Sequence, residues 1–312
     1  MLDPAAAGPA ATASELAIAV RELSKRYGRK FALAGLSMTV PRGEVFGFLG
    51  PNGAGKTTAV RLLLGLSAPT SGAGAVLGLP LGSLGARRKI GYLPELFRYQ
   101  GWLSAQEVLR LHCALAGIAR SLQPTAIRRA LATVGLADRA SGRVDTFSKG
   151  MQQRLGLAVA LLGDPQLVLL DEPTSALDPV GRHDVREILR DLRAQGVTVF
   201  LNSHLLSEVE QVCDRAAIVD RGQVVAEGRL SDLLGRPRVR IHCSGLSADA
   251  LLLLGDRAPF EREGEWLIFN SVPDADIPAL VSAIVAAGGL IHAVEPGARP
   301  LEERFLELVG KH

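Results

Sequence analysis

Aromatic residues make up only 4% of this 312-residue chain, and it holds 3 cysteines. Cys113, Cys213 and Cys243 lie far apart and share no metal-ligand spacing. That argues against a zinc ribbon or a disulfide scaffold and favours reduced thiols, as in a cytosolic protein. An excess of one charge is lacking too. The formal net charge of +3 argues neither for nor against nucleic acid, but the basic residues are scattered where a nucleic-acid face would cluster them, so no nucleic-acid partner is expected. The run Arg87, Arg88, Lys89 reads as solvated surface. Residues 1–15 are rich in Ala and Pro, without the basic start or apolar core of a signal peptide, and predict a disordered tail. One uncharged stretch, IPALVSAIVAAGGLIHAV from Ile277, is divided by paired glycines and a histidine. It reads as a short helix followed by a buried strand rather than a membrane span.

What the chain does have is room for one large domain and a smaller one. LAIAVREL and FALAGLSMTV alternate as strands of an antiparallel edge layer. GEVFGFLG reads as a buried strand that runs into a glycine-rich turn and a helix. From Glu95 to Gly163 the period becomes helical, which predicts a helical block inserted into an α/β core. The α/β alternation resumes at QLVLLDEP and closes with a hairpin around Arg221 and Gly222. After the break at LLGRP, residues 236–312 alternate strand and helix patterns and read as a small α+β accessory domain. Its His242 and His292 lie in apolar strand patterns and are expected as satisfied core histidines.

Four segments carry chemistry. GPNGAGKTT comprises Gly50, Pro51, Asn52, Gly53, Ala54, Gly55, Lys56, Thr57 and Thr58, and fits G-x-x-x-x-G-K-[ST] between a strand and a helix. Its backbone N–H groups can turn inward around a phosphate chain, Lys56 can reach the β- and γ-phosphates of ATP, and Thr57 can ligate Mg²⁺. LVLLDEP is an apolar strand ending in two acids, which must emerge at its carboxyl end beside that loop. Asp171 is then the metal-side carboxylate and Glu172 the general base. LNSH places His204 at a third strand end, in reach of a γ-phosphate. A fourth segment, FSKGMQQR, begins a helix at Ser148 with a glycine at 150, a second capped N-terminus for an anion.

FSKGMQQR resembles the signature motif of the ATP-binding-cassette (ABC) ATPases, LSGGQQQR. The resemblance spans residues 16–235 and includes the phosphate loop, GYLPE, the signature, LVLLDEP, SALD and LNSH in family order. It implies a P-loop cassette of mixed sheet with an antiparallel edge layer and a helical subdomain at about 95–163. It further implies a head-to-tail dimer with a second copy or a homologous cassette, in which Ser148, Lys149, Gly150 and Met151 of one subunit close on ATP and Mg²⁺ held by the other. Tyr27, in SKRYG, would stack on adenine, although an edge-strand role fits it equally, and the loop from Ser175 to Asp178 would cross the interface.

This sequence departs from the family pattern at three positions. Lys149 stands in place of a glycine and has less φ/ψ freedom. Met151 replaces a glutamine and cannot repeat its hydrogen bonds. Glu95 replaces a glutamine that touches Mg²⁺; its oxygen can still ligate the metal, but it adds negative charge. With GYLPE and the tail PLEERFLELVG, these features resemble the cassettes of ABC-2-type exporters of drugs, sodium or polysaccharide. That resemblance implies an ATPase on the cytoplasmic face of the cell membrane, bound there to an integral permease subunit. The alternatives are a soluble cassette ATPase of translation or DNA repair and a P-loop small-molecule kinase.

Overall fold

The apolar runs VFGFL, LVLLD and TVFLNS become adjacent, fully buried parallel strands in the computed structural model. Residues 15–175, 177–234, 238–270, 272–297 and 301–309 are described; the tail expected at 1–15 lies, apart from Glu15, outside them. The described residues fall into two compact units, the first ending at Arg229 and the second beginning at Leu230.

The first unit opens with strands β1 (Leu16–Tyr27), β2 (Lys30–Pro41) and β3 (Val45–Leu49), then α1 (Lys56–Leu63). There follow β4 (Ser71–Val76), β5 (Leu79–Pro80), α2 (Leu84–Arg87) and β6 (Ile90–Leu93). A helical block comes next: α3 (Ala105–Leu115), α4 (Gln123–Thr133) and α5 (Lys149–Ala160). The chain returns through β7 (Leu167–Asp171), α6 (Pro179–Ala194), β8 (Thr198–Ser203), α7 (Leu206–Val212), β9 (Arg215–Asp220) and β10 (Gln223–Arg229). One sheet has the order β2-β1-β4-β5 and is antiparallel. The other runs β10-β9-β3-β8-β7-β6 and is parallel except for the closing hairpin of β9 and β10. Sequence periodicity does not show β4, whose Ser-Gly-Ala-Gly-Ala-Val composition carries almost no strand signal, or β5, which is only Leu79 and Pro80.

Apolar residues at period two make β1 and β2 a single-faced layer, whereas β3, β7 and β8 are covered on both faces and have no exposed position. Phe200, on β8, lies 5.9 Å from Phe46 and 5.2 Å from Phe48 between ring centroids, filling the layer beneath the strand ends. The helical block starts at a capping box, in which Ser104 N–H donates to Glu107 Oε2 at 2.8 Å and Ser104 Oγ accepts from Glu107 N–H.

The second unit comprises α8 (Leu230–Leu234), β11 (Arg238–Ser244), α9 (Ala248–Arg257), β12 (Phe260–Glu263), β13 (Trp266–Asn270), α10 (Ile277–Ala286), β14 (Leu290–Gly297) and α11 (Leu301–Val309). From β11 to β14 this is a βαββαβ unit with the antiparallel strand order β12-β13-β11-β14, the split βαβ arrangement. Val239, Ile241, Leu267 and Phe269 pack with Leu254 of α9 and Ile284 of α10 on one face.

Two expectations are corrected here. The stretch from Leu290 is an edge strand with Leu290, His292 and Glu295 exposed, not a buried one. His242 and His292 are not core residues. Alternation sends them to the face opposite the helices, where His242 Nε2 lies 3.1 Å from Glu265 and His292 Nε2 lies 2.7 Å from Ser244 Oγ.

Phe200 is fully buried between two other rings. Phe200→Ala is expected to destabilise the first unit by about 3–5 kcal/mol, read as an earlier transition of that unit in urea.

Candidate functional site

Because β8 lies between β3 and β7, three strand ends open side by side. The loop after β3, the end of β7 and the turn after β8 together line a cavity of about 470 Å³. Such a crevice at the carboxyl ends of parallel strands is where open α/β sheets take ligands.

The loop is held in shape by its glycines. Gly55 caps α1 in the left-handed region, at φ 100°, with no side chain over the helix's first N–H groups. A Cβ on Gly50 would lie 2.3 Å from the Val219 carbonyl oxygen, so no side chain fits there. Lys56 begins α1, is buried, and its Nζ donates to the carbonyls of Gly50 at 2.7 Å and Pro51 at 3.4 Å. Burial holds the Lys56 pKa below its ordinary value, while Glu172, Asp171 and Glu95 pull it back up. A half-desolvated ammonium beside free helix N–H groups is a strong anion site. Pro51, Asn52, Gly53, Thr57 and Thr58 also line the cavity; Gly50 and Ala54 shape the loop from behind.

Asp171 ends β7 and is 2% exposed. Its carboxylate accepts a hydrogen bond from the Asn202 amide Nδ2. Burial raises the Asp171 pKa, and this bond opposes the rise. Glu172 follows in the left-handed region, at φ 53°, which costs a non-glycine residue about 1–3 kcal/mol. Its backbone N–H donates to the Asn202 carbonyl at 2.9 Å. His204 Nδ1 lies 2.8 Å from Glu172 Oε2. Burial raises the Glu172 pKa as well, against the pull of His204. Glu95 is exposed at the cavity's edge and lines it with Asp171.

At the other end of the cavity, Tyr27 and Phe31 are 50% and 53% exposed. They sit on either side of the β1–β2 turn, where Tyr27 pairs with Lys30 and Arg26 with Phe31. Phe31, Lys30, Ala32 and Asn202 line the cavity and escaped the sequence reading. Phe31 resembles any strand-opening aromatic there. Asn202 did leave a signal, a polar amide ending the apolar run VTVFL.

Ser148, Lys149, Gly150 and Met151 do not line this cavity. Ser148 caps α5 by accepting from Met151 N–H at 3.2 Å, so the backbone of Met151, not its side chain, serves the cap. Neither Lys149 nor Gly150 has a positive φ, and the lysine therefore strains nothing. The nearest atom to a Cβ built on Gly150 is Leu177 Cδ2 at 3.8 Å, ordinary contact. Nothing within the described chain requires glycine there. Ser175 Oγ donates to the Glu172 carbonyl at 3.2 Å, and Asp178 caps α6 by accepting from Gly181 N–H at 2.8 Å. Ala176 between them lies outside the described residues.

Among the described residues no cluster of three or more His, Cys, Asp or Glu could cage a metal ion. The Thr57 hydroxyl and the carboxylates of Asp171 and Glu95 nevertheless line one cavity, and the buried Asn202 Oδ1 has no partner there. One or two carboxylates, a hydroxyl and room for water and phosphate oxygens suit Mg²⁺, which rarely takes an all-protein cage.

A family model described as ABC transporter matches residues 33–175. An uncharacterized ABC transporter ATP-binding protein of Nostoc sp. is 42% identical over 284 residues, covering 90% of this chain and 84% of that protein. The Nod factor export ATP-binding protein I of Rhizobium leguminosarum bv. viciae is 37% identical over 311 residues, covering 97% of this chain and 98% of its own length. Among solved structures, an ATP-binding subunit of an ABC transporter superposes with a TM-score of 0.63 at 32% identity, over 69% of this chain and 91% of that one. A dimeric ATP-binding cassette in a post-hydrolysis state with ADP and Pi gives 0.62 at 25% identity, over 69% and 99%.

Since a Cβ at residue 50 would meet a backbone carbonyl and not a flexible side chain, Gly50→Ala should displace the phosphate loop. The expected result is ATP binding weakened at least about tenfold by calorimetric titration, with far-UV circular dichroism unchanged.

Proposed function

The chain belongs to the ABC transporter family as an ATP-hydrolysing, ATP-binding subunit, and from that premise we propose that it drives an exporter by closing with a second copy over two MgATP. The observation that carries this reading is the split of the anion-binding parts. Phosphate loop, carboxylates and strand-end histidine share one cavity, whereas the capped α5 N-terminus with its unexplained glycine stays out of it.

In this mechanism the adenine stacks on Tyr27, with Phe31 beside it. The N–H groups from Gly53 to Thr58 and the Lys56 ammonium bind the phosphates, Lys56 exchanging its carbonyl partners for phosphate oxygens. Thr57 and Asp171 would hold Mg²⁺, with Glu95 at its edge, and the ion would supply neutralisation of phosphate charge. Glu172 accepts the proton of the attacking water, a task suited to a carboxylate whose pKa burial has raised. His204 uses Nδ1 toward Glu172 and keeps Nε2 for the γ-phosphate. From the partner copy, Ser148 and the N–H groups of Lys149 and Gly150 meet that same phosphate, and Ser175 and Asp178 lie at the crossing. Met151 adds only its backbone. Closure stores binding energy at the interface, and hydrolysis releases it, moving an attached permease.

The export direction rests on the Nod factor export relative, which this chain matches nearly end to end. No described helix is long and apolar enough to cross a membrane, so a permease subunit would supply the path and hold this chain at the membrane. The names of the relatives favour transport over the soluble translation or repair alternative.

Two variants test the dimer. Glu172→Gln, unable to take the proton, should elute as a dimer on gel filtration with excess MgATP; a strictly monomeric profile would count against signature action in trans. Gly150→Ala has space within the chain and a better helix former, so its melting temperature should hold or rise, by about 0.5–1 kcal/mol of stability at most. Its ATPase rate and ATP-driven dimerisation should both fall.

A further inference from the structure

Asp171 and Asn202 face each other in register on the parallel strands β7 and β8. Partners in register project to the same side of a sheet. Asn202 is 1% exposed, and its amide Nδ2 is the hydrogen-bond donor to Asp171 Oδ1. Among the described residues no other group hydrogen-bonds that carboxylate, so its second oxygen is left to the cavity both residues line. The Asn202 backbone carbonyl accepts from Glu172 N–H. One residue thus grips both acids, Asp171 by its side chain and Glu172 by its main chain.

The amide can take only one orientation here. Turned over, it would set an oxygen against an ionised carboxylate, so Nδ2 must face Asp171. Oδ1 is then fixed as well. It is buried, lines the cavity through its residue, and has no hydrogen-bond partner. A buried acceptor without a donor is costly, so the site gives up a hydrogen bond to keep the amide turned to Asp171.

We propose that Asn202 is a positioning residue for the metal-side carboxylate: its amide fixes one oxygen of Asp171 so that the other addresses the nucleotide-bound metal. This rests on the nucleotide-site reading above. In this role Asn202 needs no contact of its own with ATP or the reacting atoms. It acts through Asp171, so its loss should weaken what the metal adds to ATP binding and spare what the phosphate loop contributes alone.

The test is the affinity of the full chain for a fluorescent ATP analogue, measured in Mg²⁺ and again in EDTA. In the parent, Mg²⁺ is expected to tighten binding. In Asn202→Ala the metal-free affinity should stay within about twofold while the gain from Mg²⁺ shrinks about tenfold. Asn202→Thr keeps one O–H donor and should recover part of that gain, which a loss of packing alone would not predict. If the alanine chain does not fold, Asn202→Leu, which refills the volume without a donor, is judged by the same criteria. An equal loss with and without Mg²⁺, an undiminished Mg²⁺ gain, or a parent indifferent to Mg²⁺ overturns the proposal. A parent that binds no nucleotide in either buffer overturns the site reading itself.

Discussion

Three parallel strands, β3, β7 and β8, are buried on both faces and can therefore carry polar groups only where they stop. Everything chemical in the first unit follows from that restriction. Leu49 pairs with Ser203 and Asp171 with Asn202, so the three strands end at nearly the same level. The loop that begins at Gly50, the acids at 171 and 172, and His204 emerge together because the layers beneath them admit no alternative place. The Phe46, Phe48 and Phe200 rings fill those layers, and a shift of one strand would misplace all three ends.

The electrostatics of the cavity are a balance of costs. A buried cation and two buried carboxylates each lose hydration, which lowers the pKa of Lys56 and raises those of Asp171 and Glu172. Each group is then partly restored by its neighbours: the acids by Lys56, Asp171 by the Asn202 amide, Glu172 by His204. On the proposed reading, a polyphosphate and a divalent cation would bring the missing charges of both signs. The left-handed backbone at Glu172 belongs to the same balance, since strain at a strand end is tolerated where the surrounding sheet over-determines the conformation.

The α5 N-terminus shows a different economy. It is capped by Ser148, exposed at Lys149, and carries a glycine that neither backbone angle nor internal contact demands. An isolated chain would be better served by alanine. The position makes sense when another surface approaches the backbone closely, and the proposed second copy supplies one. The accessory unit follows independent rules. Its βαββαβ sheet buries one face under two helices and leaves the other to paired charges, with both Arg240 and His242 packed on the Trp266 ring.

Local pattern made much of the first unit legible. The phosphate loop, the LVLLDEP strand end and the capped helix at Ser148 are written in contiguous residues, because each depends on backbone conformation that a few side chains dictate. The helical block and the hairpin at Arg221 and Gly222 could be read for the same reason. What depended on register could not be. A period-two strand has two faces, and the sequence of β11 and β14 does not say which one meets α9 and α10, so only packing reveals that His242 and His292 lie outside. Asn202 stood unread beside His204, because its meaning is a hydrogen bond across 31 positions of chain, made only once β8 lies against β7. Phe31 likewise gains its place in the cavity from the turn that brings it opposite Arg26 and beside Tyr27. Short-range conformational preference specifies motifs; which side chains share a cavity is set by strand order and register, and those arise from burying the whole core at once.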